Sequence, residues 1–326
     1  MTPVLEVKNL RVEFDVPGGR LPAVDGVDLS VRRGEVLALV GESGSGKSAL
    51  AMSLVGLNRG PRTHIGGQVH FDGRDLVAAS EKELREVRGR DIAVVFQDAL
   101  AALNPTQRVG AQVAEMIRTH RRLPRTQAWA RAEELLREVG IANPARTARA
   151  YPHQLSGGMR QRVMIAIGLA NDPAVLIADE PTTALDVTIQ AQVLRLLGRL
   201  RGEHDTTIIL ITHDLGVVAE VADRVAVMYA GRIVEHGTRD EVLFEPRHPY
   251  TKALLDSVPR VDGPVTPRLP AIAGSPLTGV RRPPGCAFAP RCAFVRDECA
   301  AAPPPLRSRY ADSGHLDACV LAEVPA

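Results

Sequence analysis

The sequence lacks a long apolar run, an export signal and an excess of either charge. No apolar run approaches about 18–20 uninterrupted residues, so the 326-residue chain is not predicted to span a membrane. The first residues show no basic segment followed by an apolar core, which predicts no secretory signal. The 40 Lys and Arg nearly balance the 38 Asp and Glu, and this balance does not predict a nucleic-acid-binding protein. We expect any membrane role to come through partner proteins.

Cysteine is scarce and confined to the last fifth of the chain. Cys286, Cys292, Cys299 and Cys319 are separated by five, six and nineteen residues. Without an export signal a disulfide framework is not expected, and the spacing lacks the short pairs of a zinc finger. Four thiolates suit a zinc ion or an iron–sulfur cluster, and free thiols are a third alternative.

A glycine-rich loop follows the apolar run 36–40 and precedes a predicted helix that begins at Lys47. Glycines let the backbone wrap around phosphates, and the N–H groups of a helix N-terminus favour anionic oxygens. Lys47 can reach the β- and γ-phosphates, and Ser48 can hold Mg²⁺. The alternative is a glycine-rich turn without a ligand. The predicted nucleotide-binding residues are Gly41, Glu42, Ser43, Gly44, Ser45, Gly46, Lys47, Ser48 and Ala49.

Further short apolar runs, at 92–96, 175–178 and 208–211, each end in polar residues. Such runs predict buried parallel strands, and the helices between them predict an α/β core. Asp179 closes one run and can contact Mg²⁺, while Glu180 after it can polarise the attacking water. The alternative for Glu180 is a solvated acidic residue.

The rest of the first 245 residues shows two other patterns. Alternation of apolar and polar residues over 4–31, with a turn at 17–19, predicts antiparallel strands, and 68–73 predicts another member of that sheet. Helical spacing between Gln97 and Ser156 predicts an inserted helical subdomain at about 98–165. Gln97 is a candidate for contacting Mg²⁺ and the attacking water, and for relaying nucleotide state to that subdomain.

Five segments occur in a fixed order along the chain: the loop 41–48, Gln97, Leu155-Ser156-Gly157-Gly158-Met159, Asp179-Glu180 and His213. With these segments the chain resembles an ABC-type ATPase as far as about residue 245. The resemblance implies an α/β fold, with a P-loop NTPase (RecA-like) core, an N-terminal antiparallel β-subdomain, an inserted helical subdomain and a small Cys-rich C-terminal extension. The family signature often ends in Gln; Met159 is typical of the peptide-import branch.

The resemblance also implies roles for individual residues. Ser156, Gly157 and Gly158 would face the γ-phosphate held by a partner subunit, with the positive end of the following helix toward it. His213 would sense the γ-phosphate; otherwise it is a structural polar residue. Asp186 would meet the partner, cap the helix 187–197, or do both. Phe14 would stack on adenine or pack in a strand core.

The tail resembles the C-terminal segment of peptide-import ATPases through His248-Pro249-Tyr250 and the run Cys-Ala-Phe-Ala-Pro-Arg-Cys at 286–292. In that family the four cysteines are associated with a 4Fe–4S cluster. The expected domains are an ATPase domain at 1–245 and an extension at 246–326. The extension is Pro-rich and short, so we expect a covalent or metal staple.

These resemblances imply an ATP-hydrolysing subunit that powers import of dipeptides or oligopeptides through ATP-driven dimer closure, using ATP and Mg²⁺. The implied partners are a second ABC ATPase subunit, two transmembrane permease subunits and an extracytoplasmic substrate-binding protein, with no nucleic acid. The chain would lie peripherally on the cytoplasmic face of a bacterial membrane. Alternatives are another cargo (nickel, glutathione or a sugar) or a soluble ABC-type ATPase acting on nucleic acid or ribosomes.

Overall fold

The computed structural model describes residues 3–183, 186–258, 271–277, 279–310 and 314–324. The strands are β1 (Pro3–Val16), β2 (Gly19–Arg32), β3 (Val36–Val40), β4 (Thr63–Phe71), β5 (Arg74–Asp75), β6 (Ile92–Val95), β7 (Val175–Asp179), β8 (Thr207–Thr212), β9 (Arg224–Tyr229), β10 (Arg232–Thr238), β11 (Arg307–Ser308) and β12 (Leu316–Asp317). The α-helices are α1 (Lys47–Leu54), α2 (Glu81–Val87), α3 (Ala99–Ala102), α4 (Val109–His120), α5 (Arg125–Glu138), α6 (Pro144–Ala148), α7 (Gly157–Gly168), α8 (Val187–His204), α9 (Leu215–Val221), α10 (Arg239–Phe244) and α11 (Pro249–Asp256). Short 3₁₀ helices cover Pro152–Gln154, Ala289–Arg291 and Asp297–Ala300.

The chain divides into two compact units. The first comprises residues 1–4, 31–35 and 78–211, and the second comprises 5–30, 36–77 and 212–326. No helix among the described residues combines the length and apolarity needed to cross a membrane.

The first unit contains the parallel strands β6, β7 and β8. β7 pairs with β6 from Val175 opposite Ile92, and with β8 as far as Asp179 opposite Ile211. Every residue of β7 and β8 is buried. The prediction of buried parallel strands is confirmed, although β6 ends at Val95 rather than at Phe96.

Helices α3 to α7 follow β6 within the same unit. α5 buries Ala128, Ala132, Leu135 and Leu136, a three- and four-residue spacing that places them on one face. α4 packs on α5 and buries Val113 and Ile117. The helical character of this stretch is confirmed, while the limits of the subdomain at about 98–165 stay a prediction. α8 begins as predicted after Asp186 but continues to His204.

The second unit holds the antiparallel sheet β2-β1-β4-β5. β1 pairs with β4 from Leu5 opposite Phe71 to Phe14 opposite Thr63. The alternating strands predicted on both sides of the turn are thus confirmed. In the same unit β3 pairs in parallel with β9, and β9 pairs antiparallel with β10.

The C-terminal extension contributes strands and core residues to the second unit, which the sequence did not predict. β12 pairs with β10, placing Asp317 opposite Glu235, and also with β11. Phe288 joins the buried core that contains Tyr229 and Tyr250. Glu235 is fully buried, and its carboxylate accepts hydrogen bonds from the backbone N–H groups of Arg247 (2.6 Å) and His248 (3.0 Å). The extension thus shares the core of the second unit; its boundary at residue 246 stays a prediction.

Candidate functional site

The glycine-rich loop lies between β3 and α1 in the second unit. Gly41 has φ +151°, and a Cβ there would lie 2.2 Å from the carbonyl oxygen of Met228. Gly46 has φ +107°, and its Cβ would lie 2.2 Å from the carbonyl oxygen of Ala23. Side chains at these positions would be both strained and blocked. The backbone therefore requires glycine where the sequence places it.

Lys47 is held against this loop. Its side chain is buried, and Nζ donates hydrogen bonds to the carbonyl oxygens of Gly41 (2.7 Å) and Glu42 (3.0 Å). Ser45 Oγ is also buried and has no hydrogen-bond partner among the described residues. A cation and an unsatisfied hydroxyl in one loop suit the oxygens of a phosphate.

Helix α1 begins directly after Gly46. No side chain of the described residues caps this helix, so its first N–H groups can serve an anion. Ser48, the predicted Mg²⁺ ligand, lies exposed in the first turn, and Ala49 is half-buried beside it. The loop and helix form the strand–loop–helix arrangement expected of a phosphate-binding site.

The second unit adds contacts to the loop that sequence reasoning missed. The phenol oxygen of Tyr250 accepts a hydrogen bond from the Glu42 N–H at 2.8 Å. Arg291 forms a two-point ion pair with the Glu42 carboxylate, at 2.6 and 3.0 Å. Both residues lie in the tail motifs noted above, but nothing in their spacing indicates this contact.

The first unit carries Asp179 and Glu180 at the end of β7. Asp179 is buried, as the last residue of the strand. Glu180 has φ +46°, a left-handed backbone that is uncommon for a residue with a Cβ, and its N–H donates to the Ile211 carbonyl at 2.9 Å. Such strain of about 1–3 kcal/mol concentrates at functional sites. The left-handed backbone at Glu180 thus helps to set the direction of its carboxylate.

Gln97 and Thr183 fix the direction of the Glu180 side chain. Glu180 Oε2 accepts hydrogen bonds from Gln97 Nε2 (2.9 Å) and Thr183 Oγ1 (2.8 Å). The structure therefore brings together Gln97 and Glu180, two of the predicted catalytic residues. The sequence analysis did not predict a role for Thr183. Pro181 indicates a turn after Glu180, but the hydrogen bond from Thr183 to Glu180 forms only in the folded chain.

The signature segment begins α7. Ser156 caps this helix, with Oγ accepting from the Met159 N–H at 3.3 Å, and Ser156 and Gly157 are exposed. Gly158 packs closely on Ile189, since a Cβ there would lie 2.6 Å from Ile189 Cγ2. The N-terminus of a twelve-residue helix is therefore exposed, as an anion-binding role would require.

The remaining predicted residues are placed as follows. Asp186 caps α8, as predicted, with Oδ1 accepting from the Ile189 N–H at 2.9 Å, whereas Ala184 and Leu185 before it lie outside the described residues. His213 follows β8 with an exposed side chain. Phe14 is half-buried in β1, so its role in adenine stacking stays a prediction.

The four cysteines line one small cavity of about 10 Å³ in the second unit: Cys286, Cys292, Cys299 and Cys319. Burial raises the pKa of the Cys286, Cys292 and Cys319 thiols, which favours their neutral forms. In the part of the chain that the structure describes, no three His, Cys, Asp or Glu side chains are placed to hold one metal ion. The thiols face a common space, as a shared group would need, without converging on one point.

Comparison with known proteins decides the family. A profile described as ABC transporter matches residues 24–183, and one described as oligopeptide/dipeptide transporter, C-terminal region, matches residues 234–299. The chain is 52% identical over 297 residues to a putative peptide import ATP-binding protein of Brucella abortus, covering 91% of this chain and 89% of that protein. This chain belongs to the peptide-transport ATP-binding proteins of the ABC family. It is also 47% identical over 324 residues to the oligopeptide transport ATP-binding protein AppD of Bacillus subtilis, covering 99% and 98% of the two chains.

Solved structures agree with this assignment. This ABC ATPase resembles a dimeric ATP-binding cassette in a post-hydrolysis state bound to ADP and phosphate, with a TM-score of 0.66 and 29% identity over 72% of this chain and 98% of the other. It resembles cbiO1 of Clostridium perfringens, part of an ABC transporter complex, with a TM-score of 0.63 and 32% identity over 75% and 92% of the two chains. The predicted ABC ATPase fold is thereby confirmed.

Proposed function

We propose that this chain hydrolyses ATP to power the import of peptides through an ABC transporter. Two structural features support ATP hydrolysis. The first is the loop that requires glycine at Gly41 and Gly46 and holds Lys47. The second is the Glu180 carboxylate, which Gln97 and Thr183 orient through hydrogen bonds. Nearly full-length similarity to peptide-transport ATP-binding proteins supports peptides as the cargo. Nickel, glutathione and sugars are the competing cargoes, and an uptake panel distinguishes them.

In this function the loop residues would bind the phosphates of ATP, and Ser48 and Asp179 would each serve as a ligand of Mg²⁺. The side-chain amide of Gln97 would contact Mg²⁺ and the attacking water. Glu180 takes the proton of that water, since a carboxylate fixed by two hydrogen bonds can be held within reach of it. Mg²⁺ held by Ser48 and Asp179 would neutralise negative charge on the phosphates. His213 senses the γ-phosphate.

Two variants test the hydrolytic assignment. Glu180→Gln keeps the shape and both hydrogen-bonding neighbours but removes the base, so we expect ATP binding to persist and turnover to fall by about 10²- to 10⁴-fold. Lys47→Ala should weaken binding itself. Glu220→Gln, on an exposed residue of α9, is the matched control. The partner ATPase's corresponding glutamate must be changed in parallel. Parental turnover by Glu180→Gln in that assembly would contradict the role of Glu180.

We further propose that the chain works peripherally at the cytoplasmic face of the membrane, with a second ATPase subunit, two permease subunits and an extracytoplasmic binding protein. The exposed N-terminus of α7 supports a partner's γ-phosphate as the ligand of Ser156, Gly157 and Gly158. The exposed Phe96 and Leu100, which flank Gln97 along the chain, support a docking surface for the permease.

This docking surface is tested by introducing charge. Phe96→Glu and Leu100→Glu should release the chain from the membrane fraction or uncouple ATP hydrolysis from uptake. Phe244→Glu changes a still more exposed aromatic residue on α10 and should do neither. Full peptide uptake by both of the first two variants would argue against the surface.

For the tail, we propose that Cys286, Cys292, Cys299 and Cys319, which line one small cavity, are the ligands of a structural 4Fe–4S cluster. Four cysteine ligands leave no open coordination position, so the cluster would stabilise the fold of the extension rather than take part in a reaction. Protein purified without oxygen should be brown, with about four iron and four sulfide per chain. A colourless protein with about one zinc per chain would favour the zinc alternative, and four titratable thiols with neither metal would favour free cysteines.

A further inference from the structure

We propose that Arg291 in the C-terminal extension positions and neutralises Glu42 in the phosphate loop, which makes the extension a working part of the ATP-binding site. The inference rests on the proposed binding of ATP by this loop. It concerns Arg291 as a positioning residue, acting through Glu42 rather than on ATP itself.

The ion pair has the geometry of a specific contact. Arg291 Nη1 lies 2.6 Å from Glu42 Oε2, and Nη2 lies 3.0 Å from Oε1, so both nitrogens of the guanidinium fork are used. The Arg291 side chain is only 4% exposed and the Glu42 side chain 23% exposed. Pairs this sheltered are screened by salt much less than surface pairs. The hydrogen bonds to Glu42 raise the pKa of Arg291 further above its usual range, so its charge is permanent.

Arg291 is held in place by the extension. It ends the 3₁₀ helix Ala289–Arg291, directly before Cys292, and its Nε donates to the Ala273 carbonyl at 2.8 Å. The guanidinium carbon lies 5.9 Å from the ring centres of both Tyr229 and Phe288. These contacts fix the direction of the fork, so the position of Glu42 depends on the fold of the Cys-rich segment.

Glu42 is fixed on its backbone side as well. Its N–H donates to the phenol oxygen of Tyr250, a residue of the His-Pro-Tyr motif that is fully buried. Its carbonyl oxygen accepts from Lys47 Nζ. The extension therefore contacts the loop at three atoms of Glu42, its backbone nitrogen and both carboxylate oxygens. Glu42 in turn contacts the lysine predicted to reach the phosphates.

The charges explain why this contact matters for ATP. A carboxylate in a loop that binds phosphate anions opposes the ligand, because like charges repel at short range. Arg291 cancels that charge and holds the carboxylate in the ion pair. Without Arg291, the loop would keep an uncompensated negative charge and lose one of its anchors.

The test measures binding of a fluorescent ATP analogue to the full chain with Mg²⁺. Arg291→Met keeps most of the side-chain volume, and we expect its Kd to rise by about 10-fold or more, as loss of a charge-assisted contact implies. The double variant Glu42→Gln with Arg291→Met should return to within about threefold of the parental Kd, because the repulsive charge is then gone.

Matched variants separate positioning from mere folding of the extension. Arg296→Ala removes an exposed arginine from the same segment and should bind as the parental chain does. Arg291→Lys should bind the ATP analogue more tightly than Arg291→Met but more weakly than the parental chain, since an ammonium cannot make the two-point contact. If Arg291→Met binds ATP as well as the parental chain, the inference is wrong. It is equally wrong if the double variant binds no better than Arg291→Met, since a purely structural defect would persist without Glu42. A parental chain that binds no ATP analogue would instead overturn the proposed function, and this inference with it.

Discussion

Truncating Phe288 tests whether the C-terminal extension shares the core of the unit that holds the phosphate loop. Phe288 is 2% exposed, with its ring centre 5.3 Å from those of Tyr229 and Tyr250, edge-on to Tyr229 at 84°. Replacing a buried Phe by Ala typically lowers the free energy of unfolding by about 3–5 kcal/mol. Each aromatic pair adds about 0.5–1.5 kcal/mol, so we expect Phe288→Ala to fall near the upper end of that range.

Phe244 provides the matched control for this truncation. Its side chain is 77% exposed on α10, so Phe244→Ala should change the free energy of unfolding by no more than about 0.5 kcal/mol. Denaturant unfolding of the full chain measures both changes, and limited proteolysis reports whether the extension loosens first. Because Arg291 packs beside Phe288, ATP affinity should also fall in Phe288→Ala. Equal effects of the two truncations would refute the shared core.

Two further changes follow from the backbone and from burial. Gly46→Ala places a Cβ 2.2 Å from the Ala23 carbonyl at φ +107°, so it should destabilise the chain by about 1–3 kcal/mol and weaken ATP binding. Gly66→Ala, with open space around its Cβ, should leave ATP affinity unchanged, and equal affinity of the two variants would contradict the steric argument. Burial lowers the pKa of His248 to about 3, so below about pH 6.5 the unfolded chain binds a proton that the folded chain does not. Stability should therefore fall as pH falls, by about 2 kcal/mol from this group at pH 5. His248→Asn can keep an acceptor for the Tyr250 N–H and should lose less stability between pH 7 and pH 5; identical acid sensitivity would count against the buried neutral imidazole.

Local signals explain which parts of the fold the sequence predicts. The apolar run at 36–40 and the glycines after it determine β3 and the phosphate loop, because strand burial and positive φ depend on adjacent residues. Asp186 likewise predicts the start of α8, since its own side chain caps that helix. The end of α8 was harder to predict, because the helix continues beyond the apolar stretch that suggested it.

Contacts between distant residues explain what the sequence does not predict. β11 and β12 have two residues each, too few to show a strand period, and β12 forms by pairing with β10. Glu42 and Arg291 are 249 positions apart, so no spacing rule links them. The left-handed backbone of Glu180 and its hydrogen bond from Thr183 also depend on neighbours that only folding supplies.

The central claim is that ATP hydrolysis by this chain drives peptide import. Its most direct test is the ATP-dependent accumulation of a labelled oligopeptide in vesicles that contain the assembled transporter, with ATP binding and turnover measured on the same preparation. The account predicts uptake with the parental chain, and loss of both uptake and turnover, with ATP still bound, when Glu180→Gln is combined with the matching change in the partner ATPase. Undiminished peptide uptake in that doubly altered transporter would contradict the account.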